Sequence, residues 1–349
     1  MKRIFTLLLL LGTSHAVAFD FIGKFKEHYL GNNTSFYVDL TGVSPSGISW
    51  NQGFSDAAGV WQSLSPITIT IFNIYSDPCL PATSLNDANG VDFNSKPCNY
   101  EYGSSAAITI TRGSSMPAAI TSSDISFNNA YEWDISNGSS INGSIDFRRT
   151  ATHEIGHAIG IAHSIFERSL MYSSVNEVTT LTPDDICGIN ILYENPQGCE
   201  LLLGAGASAT GKATTAIFVG GVSGDGGVTY RHNFLSTETL TVMATVVVED
   251  GHIEQEGFLY VVAELPDGSL LAQNTEGAFV PISNNINLIP AVKSLTLNAA
   301  NELYILQHLV PADIGVTETS IRIYTAYSLA SEPDELYYSS EPMYFSIMP

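Results

Sequence analysis

The sequence predicts an α+β fold followed by a separate all-β, sandwich-like domain. Two observations predict it. Up to Tyr193, short alternating strand runs are mixed with amphipathic helical stretches, whereas beyond a Gly/Ala/Ser-rich segment the chain is strand-like throughout. The 349 residues suit about two domains on a prior of roughly 150 residues each. Thirteen Lys+Arg stand against thirty-five Asp+Glu, a formal net charge of −22, which excludes partners that need clustered cations: nucleic acid and anionic membrane surfaces. Sixteen Phe and sixteen Tyr supply a core that a disordered acidic chain lacks.

Residues 1–18 read as a signal peptide, with Lys2 and Arg3, an apolar run from Ile4 to Leu11, and Ala16-Val17-Ala18 as the cleavage signal. The run is short of the roughly 20 residues that span a bilayer. Export follows, with a mature start at Phe19. In an oxidising compartment Cys79, Cys98, Cys187 and Cys199 are expected to form disulfides; three connectivities are open, and the local pairs Cys79–Cys98 and Cys187–Cys199 are favoured.

Residues 19–33 read as a short leader or pro-segment, and 34–200 as the first folded domain. FYVDL from Phe36 alternates as a strand; Phe54, Ala57, Ala58 and Trp61 share one helical face; ITITIF (67–72) is a second strand. Residues 76–104, rich in Ser, Asn, Asp, Pro and Gly, read as a long loop held by a covalent clip. AAITITR (106–112) and DISFN (124–128) follow as strands, then a helix from Phe147 or Arg148 to Ile159. A last helix opens with Thr182 as N-cap, Pro183 at the first position and Asp184-Asp185 in the first turn, and stops at Asn195-Pro196. Residues 201–227 read as a flexible linker and 228–349 as a β-sandwich accessory domain. Its His232, His252 and His308 are scattered, and its tyrosines (Tyr260, Tyr304, Tyr324, Tyr327, Tyr337, Tyr338) suit sandwich core and rim. From Val228 only Arg231, Lys293 and Arg322 oppose fifteen acids, so a surface, glycan or protein partner of this half would be neutral or cationic.

One segment carries chemistry: His153-Glu154-Ile155-Gly156-His157-Ala158-Ile159-Gly160-Ile161-Ala162-His163-Ser164. On a helix His153 and His157 project from one face, and Glu154 sits beside the metal rather than on it. Gly160 can take positive φ and return the chain so that His163 supplies a third ligand. Three neutral imidazoles with a fourth position for water are a catalytic zinc set, and Glu154 is the expected general base.

With Ser169-Leu170-Met171-Tyr172 and Leu181-Thr182-Pro183-Asp184-Asp185-Ile186, this string resembles the metzincin metallopeptidases, and within them the matrixins, the matrix-metalloproteinase-like family. Ser164 after the third histidine is the matrixin choice. The resemblance covers about residues 36–195. It implies a twisted, mostly parallel sheet with an active-site helix and a C-terminal helix, Met171 as an apolar floor under the zinc, and 124–128 as the strand lining the cleft. It also implies endopeptidase action on proteins or peptides outside the cell.

The sequence departs from that family in places. No cysteine precedes Cys79, which excludes latency by a cysteine from a propeptide. A leader carboxylate such as Asp20 could cap the ion, although a frayed N-terminus is the simpler expectation. No histidine lies between His28 and His153, so a structural zinc of the family's kind is not expected. Asp87, Asn89 and Asp92 around Gly90 could hold a structural calcium or form a solvated turn. Ser173 stands where the family often places proline. The competing function is a non-catalytic adhesion or binding protein built on the same scaffold.

Overall fold

The computed structural model of the protein describes residues 19, 21–22, 27–79, 88–98, 100–115, 118–135, 143–164, 168–174, 177–282 and 289–349. The signal-like segment, Asp20 and Asp87 lie outside the described residues.

The first half is built on a five-stranded sheet of β1 (Asn33–Val38), β2 (Thr68–Phe72), β3 (Asn89–Asn94), β4 (Ala107–Ser115) and β5 (Ala118–Asn128), ordered β2-β1-β3-β5-β4. All neighbours are parallel except β4, which runs antiparallel to β5 along one edge. This is the mostly parallel sheet that the resemblance implied. Residues 124–128, expected to line the cleft, lie in β5, an interior strand next to the edge strand β4.

Helix α1 (Trp50–Leu64) starts where Ser49 accepts the Gln52 amide, and buries Phe54, Ala57, Ala58 and Trp61 as the spacing predicts. Trp61 Nε1 donates to Thr152 O at 2.8 Å and so ties α1 to α2 (Phe147–Ala158). Asp146 caps α2 by accepting the Arg149 amide. Phe147 anchors the start of α2 in an aromatic cluster with Trp50, Phe93, Phe127 and Trp133, its ring 4.7 Å from that of Phe127. Short β6 (Trp133–Asp134) and β7 (Ile145–Asp146) pair just before it. Helix α3 (Pro183–Leu192) closes this half.

Two expectations need correction here. The stretch 76–104 is not all loop, since β3 runs through it between β1 and β5. Its Asn, Gly and Asp hide the strand; Gly90 is required because a Cβ there would lie 2.4 Å from Ser76 O. The leader is not frayed in its described part either. Phe19, Phe21, Ile22 and Tyr29 are buried, Ile22 N donates to Gly160 O and Ile120 N to His28 O, and β1 begins at Asn33.

The second half comprises β8 (Gly206–Ser208), β9 (Ile217–Ser223), β10 (Asn233–Leu235), β11 (Leu240–Val247), β12 (Glu256–Glu264), β13 (Leu270–Gln273), β14 (Phe279–Pro281), β15 (Lys293–Thr296), β16 (Ala300–Leu309), β17 (Thr319–Leu329), β18 (Glu332–Ser339) and β19 (Met343–Met348). One sheet is β16-β11-β9 and the larger one is built around β10-β19-β17-β12-β13-β14. The reading of 201–227 as a flexible linker is overturned. Within it β9 pairs with β11, Phe218 and Val219 are buried, and Leu203 N donates to Phe218 O. Its glycines mark close approach: a Cβ on Gly220 would meet Met343 Sδ at 2.6 Å, and one on Gly221 the Tyr230 ring at 2.4 Å. Buried side chains of the two halves form one continuous cluster. No helix among the described residues is long and apolar enough to cross a membrane.

The cysteines pair locally, Cys79 with Cys98 and Cys187 with Cys199. The second bridge fastens α3 to the segment that enters β9. Replacing Cys187 and Cys199 with Ser frees a loop of sequence separation 12, and unfolding in urea should show a loss of about 3 kcal/mol.

Candidate metal centre

The three histidines expected as ligands are brought together. One atom from each of His153, His157 and His163 lies within 4.8 Å of the others, and no other such group of His, Cys, Asp or Glu occurs among the described residues. His153 and His157 stand one turn apart on α2. The helix ends at Ala158, and Gly160, with a φ of 110°, turns the chain back to present His163. A side chain could not replace that glycine, since a Cβ would meet Glu27 O at 2.6 Å and Leu192 Cδ2 at 2.7 Å.

The ring nitrogens are sorted by the backbone. His153 Nδ1 faces Leu170 O and His157 Nδ1 faces Ile161 O, both at 2.8 Å. A carbonyl only accepts, so each Nδ1 carries the hydrogen and each Nε2 keeps its lone pair for an ion. Burial also favours the neutral rings: His153 is pushed down to about 3, His163 to about 4, and His157 well below its ordinary value. Neutral, pre-oriented imidazoles converging on one point fit zinc.

Met171 lies fully buried beneath the centre, and Gly156 makes room for it, because a Cβ there would come within 2.4 Å of Met171 Sδ. The floor is fixed by α3. Asp185 accepts hydrogen bonds from Leu170 N and Met171 N at 3.1 Å, from Thr182 N and Oγ1 at 2.8 Å, and from Ser169 Oγ. Ser164, next to the third ligand, donates Oγ to Asp184 at 2.8 Å and its amide to Met171 O at 2.9 Å. Burial, and then the neighbouring Asp185, hold Asp184 well above the usual carboxylate range.

Glu154 is buried beside the ligands, and burial pushes its carboxyl up to about 7 against the opposing hydrogen bond of Thr109. The Thr109 hydroxyl lies 2.6 Å from Glu154 Oε2. Sequence reasoning missed Thr109, whose only signal was a polar residue on the inward face of ITIT. It read Asp184 and Asp185 as helix-start acids alone.

The calcium expectation finds other partners. Asn89 is buried and bonded to Thr34, Ser35 and Ser123, while Asp92 accepts from Ser126 and Asn94. Three positions apart on β3, the two side chains leave by opposite faces of the sheet and do not converge on one ion.

Residues 50–194 match the family model described as matrixin. The chain is similar to Metalloendoproteinase 2-MMP of Arabidopsis thaliana, at 27% identity over 143 residues, 40% of this chain and 36% of that protein. It is also similar to Metalloendoproteinase 1-MMP of Arabidopsis thaliana at 43% over 58 residues, 16% of each chain. Matrilysin of Rattus norvegicus matches at 43% over 53 residues, 14% of this chain and 20% of that protein. The chain therefore spans about a third or less of the length of these relatives.

Asp185→Ala would strand several buried donors at once; the expected cost is about 3 kcal/mol or more in thermal or urea unfolding, with zinc affinity lower by about tenfold. The lowered histidine values set a pH expectation. Protons compete with an ion only below the ligand pKa, so zinc affinity measured against a chelator should stay level from about pH 8 to about 5 and fall towards pH 4. A steep decline starting at about 6.5, the value of an unperturbed histidine, would contradict the burial argument.

Proposed function

We propose, from the premise that residues 50–194 are a matrixin-type metallopeptidase domain, that the chain is an exported zinc-dependent endopeptidase acting on proteins outside the cell. The observation that carries the reading is the convergence of His153, His157 and His163 beside the buried carboxylate of Glu154. Export rests on the signal-like segment 1–18 and fits the two disulfides.

His153, His157 and His163 would hold zinc, which when bound supplies Lewis-acid polarisation of a peptide carbonyl and an activated water. The residues do the rest. Leu170 O and Ile161 O keep two rings in the ligand tautomer. Glu154, raised to about 7, is poised to take a proton from the attacking water near neutral pH and to pass it to the leaving amine. Met171 packs directly against Gly156, in the turn of α2 that carries His153 and His157.

A scaffold without turnover has no use for a buried base beside three converging imidazoles, two of them held in the ligand tautomer, since such a carboxylate costs stability. Glu154→Ala decides between the readings. The variant should bind about one zinc per chain yet cleave casein or gelatin about 10² to 10⁴ times more slowly. Wild-type cleavage should vanish with a chelator and return with zinc. Undiminished cleavage by the variant would overturn the proposed mechanism.

A further inference from the structure

We propose that Thr109 on β4 is a positioning residue for Glu154, its hydroxyl holding one carboxylate oxygen so that the other faces the attacking water. The proposal rests on the endopeptidase reading above and adds to it a residue outside the metal-binding string.

Thr109 and Glu154 are both buried, at 7% and 6% exposure, so a hydrogen bond between them replaces water that burial removes. The Thr109 hydroxyl has one hydrogen and two acceptors in reach, Glu154 Oε2 at 2.6 Å and Glu154 O at 3.1 Å. The shorter contact, to the carboxylate oxygen, takes the hydrogen as a charge-assisted bond. Oε1 has no hydrogen-bond partner among the described residues and is the oxygen left for a proton. A glutamate alone has three side-chain torsions to order. The β-branched Thr109, stiff at χ1 on a strand, supplies a fixed point for the end of that chain.

The neighbouring hydroxyls show what a structural role looks like. Thr111, two residues along on the same face of β4, is hydrogen-bonded to Ser123 Oγ, and Ser123 donates to Ala158 O. These contacts fasten β4 and β5 to the end of α2 and involve no carboxylate. Valine at 109 would satisfy the strand and the packing equally well. The hydroxyl is therefore explained by Glu154 rather than by the sheet.

The test compares Thr109→Val, Thr109→Ser, Thr111→Val and Glu154→Ala in the full chain loaded with zinc, with kcat and KM on one peptide substrate. Thr109→Val should lower kcat about ten- to hundredfold with KM and zinc stoichiometry unchanged. Thr109→Ser should recover to within about threefold because it keeps the hydroxyl, and Thr111→Val should keep wild-type kcat. A second readout needs no turnover. In zinc-free protein with ¹³C-labelled glutamate, the carboxyl resonance that Glu154→Gln removes should move in Thr109→Val and stay in Thr111→Val. Should Thr109→Val fail to fold, Thr109→Ala and Thr109→Ser carry the same comparison. If Glu154→Ala abolishes turnover while hydroxyl-free variants keep kcat within about twofold or leave the resonance unmoved, the positioning role is wrong and the endopeptidase reading stands. If Glu154→Ala turns over like wild type, the reading fails and takes the positioning role with it.

Discussion

The site depends on one buried carboxylate that is neither a ligand nor a base. Asp185 gathers hydrogen bonds from the amides of Leu170 and Met171, from the hydroxyl of Ser169 and from the amide and hydroxyl of Thr182. Through these bonds the start of α3 becomes the mould for the floor of the metal centre. Leu170, whose amide is held by Asp185, offers its carbonyl to His153. Met171, held the same way, offers its carbonyl to the amide of Ser164, the residue after His163. The His153 ring and the backbone beside His163 are thus held from a helix that contributes no histidine to the cluster. Such partners beyond the ligands are what fix tautomer and ring direction.

Placing so many polar groups in the interior is costly unless each is satisfied. The arrangement answers that by stacking elements around it. The Cys187–Cys199 bridge fastens α3, Phe19 packs on Gly188, and Leu201 and Leu203 lead directly into contacts with β9. The β half is therefore continuous with the core behind the metal centre, and its loops reach the same region, with Gly226 close to Arg168 and Tyr230 lining a small cavity with Asp184 and Phe19.

Much of this was legible in the sequence, and the reasons for the rest are physical. The histidines were readable because the spacing of His153 and His157 on a helix, with Gly160 before His163, leaves few alternatives. The cap of α3 was readable because Thr-Pro-Asp-Asp has one meaning at a helix start. The local disulfide pairs were favoured by the expected oxidising compartment and by the spacing. Composition failed where glycine serves close approach rather than freedom: Gly90 hid β3, and Gly220 and Gly221 made a core strand resemble a tether. It also failed for long-range partnerships. Nothing local to Asp185 shows that it serves Leu170 and Met171, and nothing local to Thr109 shows that it meets Glu154, because both contacts are created by packing of distant segments.

Zinc-edge X-ray absorption on the full chain tests whether His153, His157 and His163 form one zinc site of three imidazoles. About one zinc per chain is expected, with three nitrogen ligands and one oxygen ligand at about 2.0–2.1 Å. A shell containing sulfur, a shell of oxygen alone, or failure to retain zinc would contradict it.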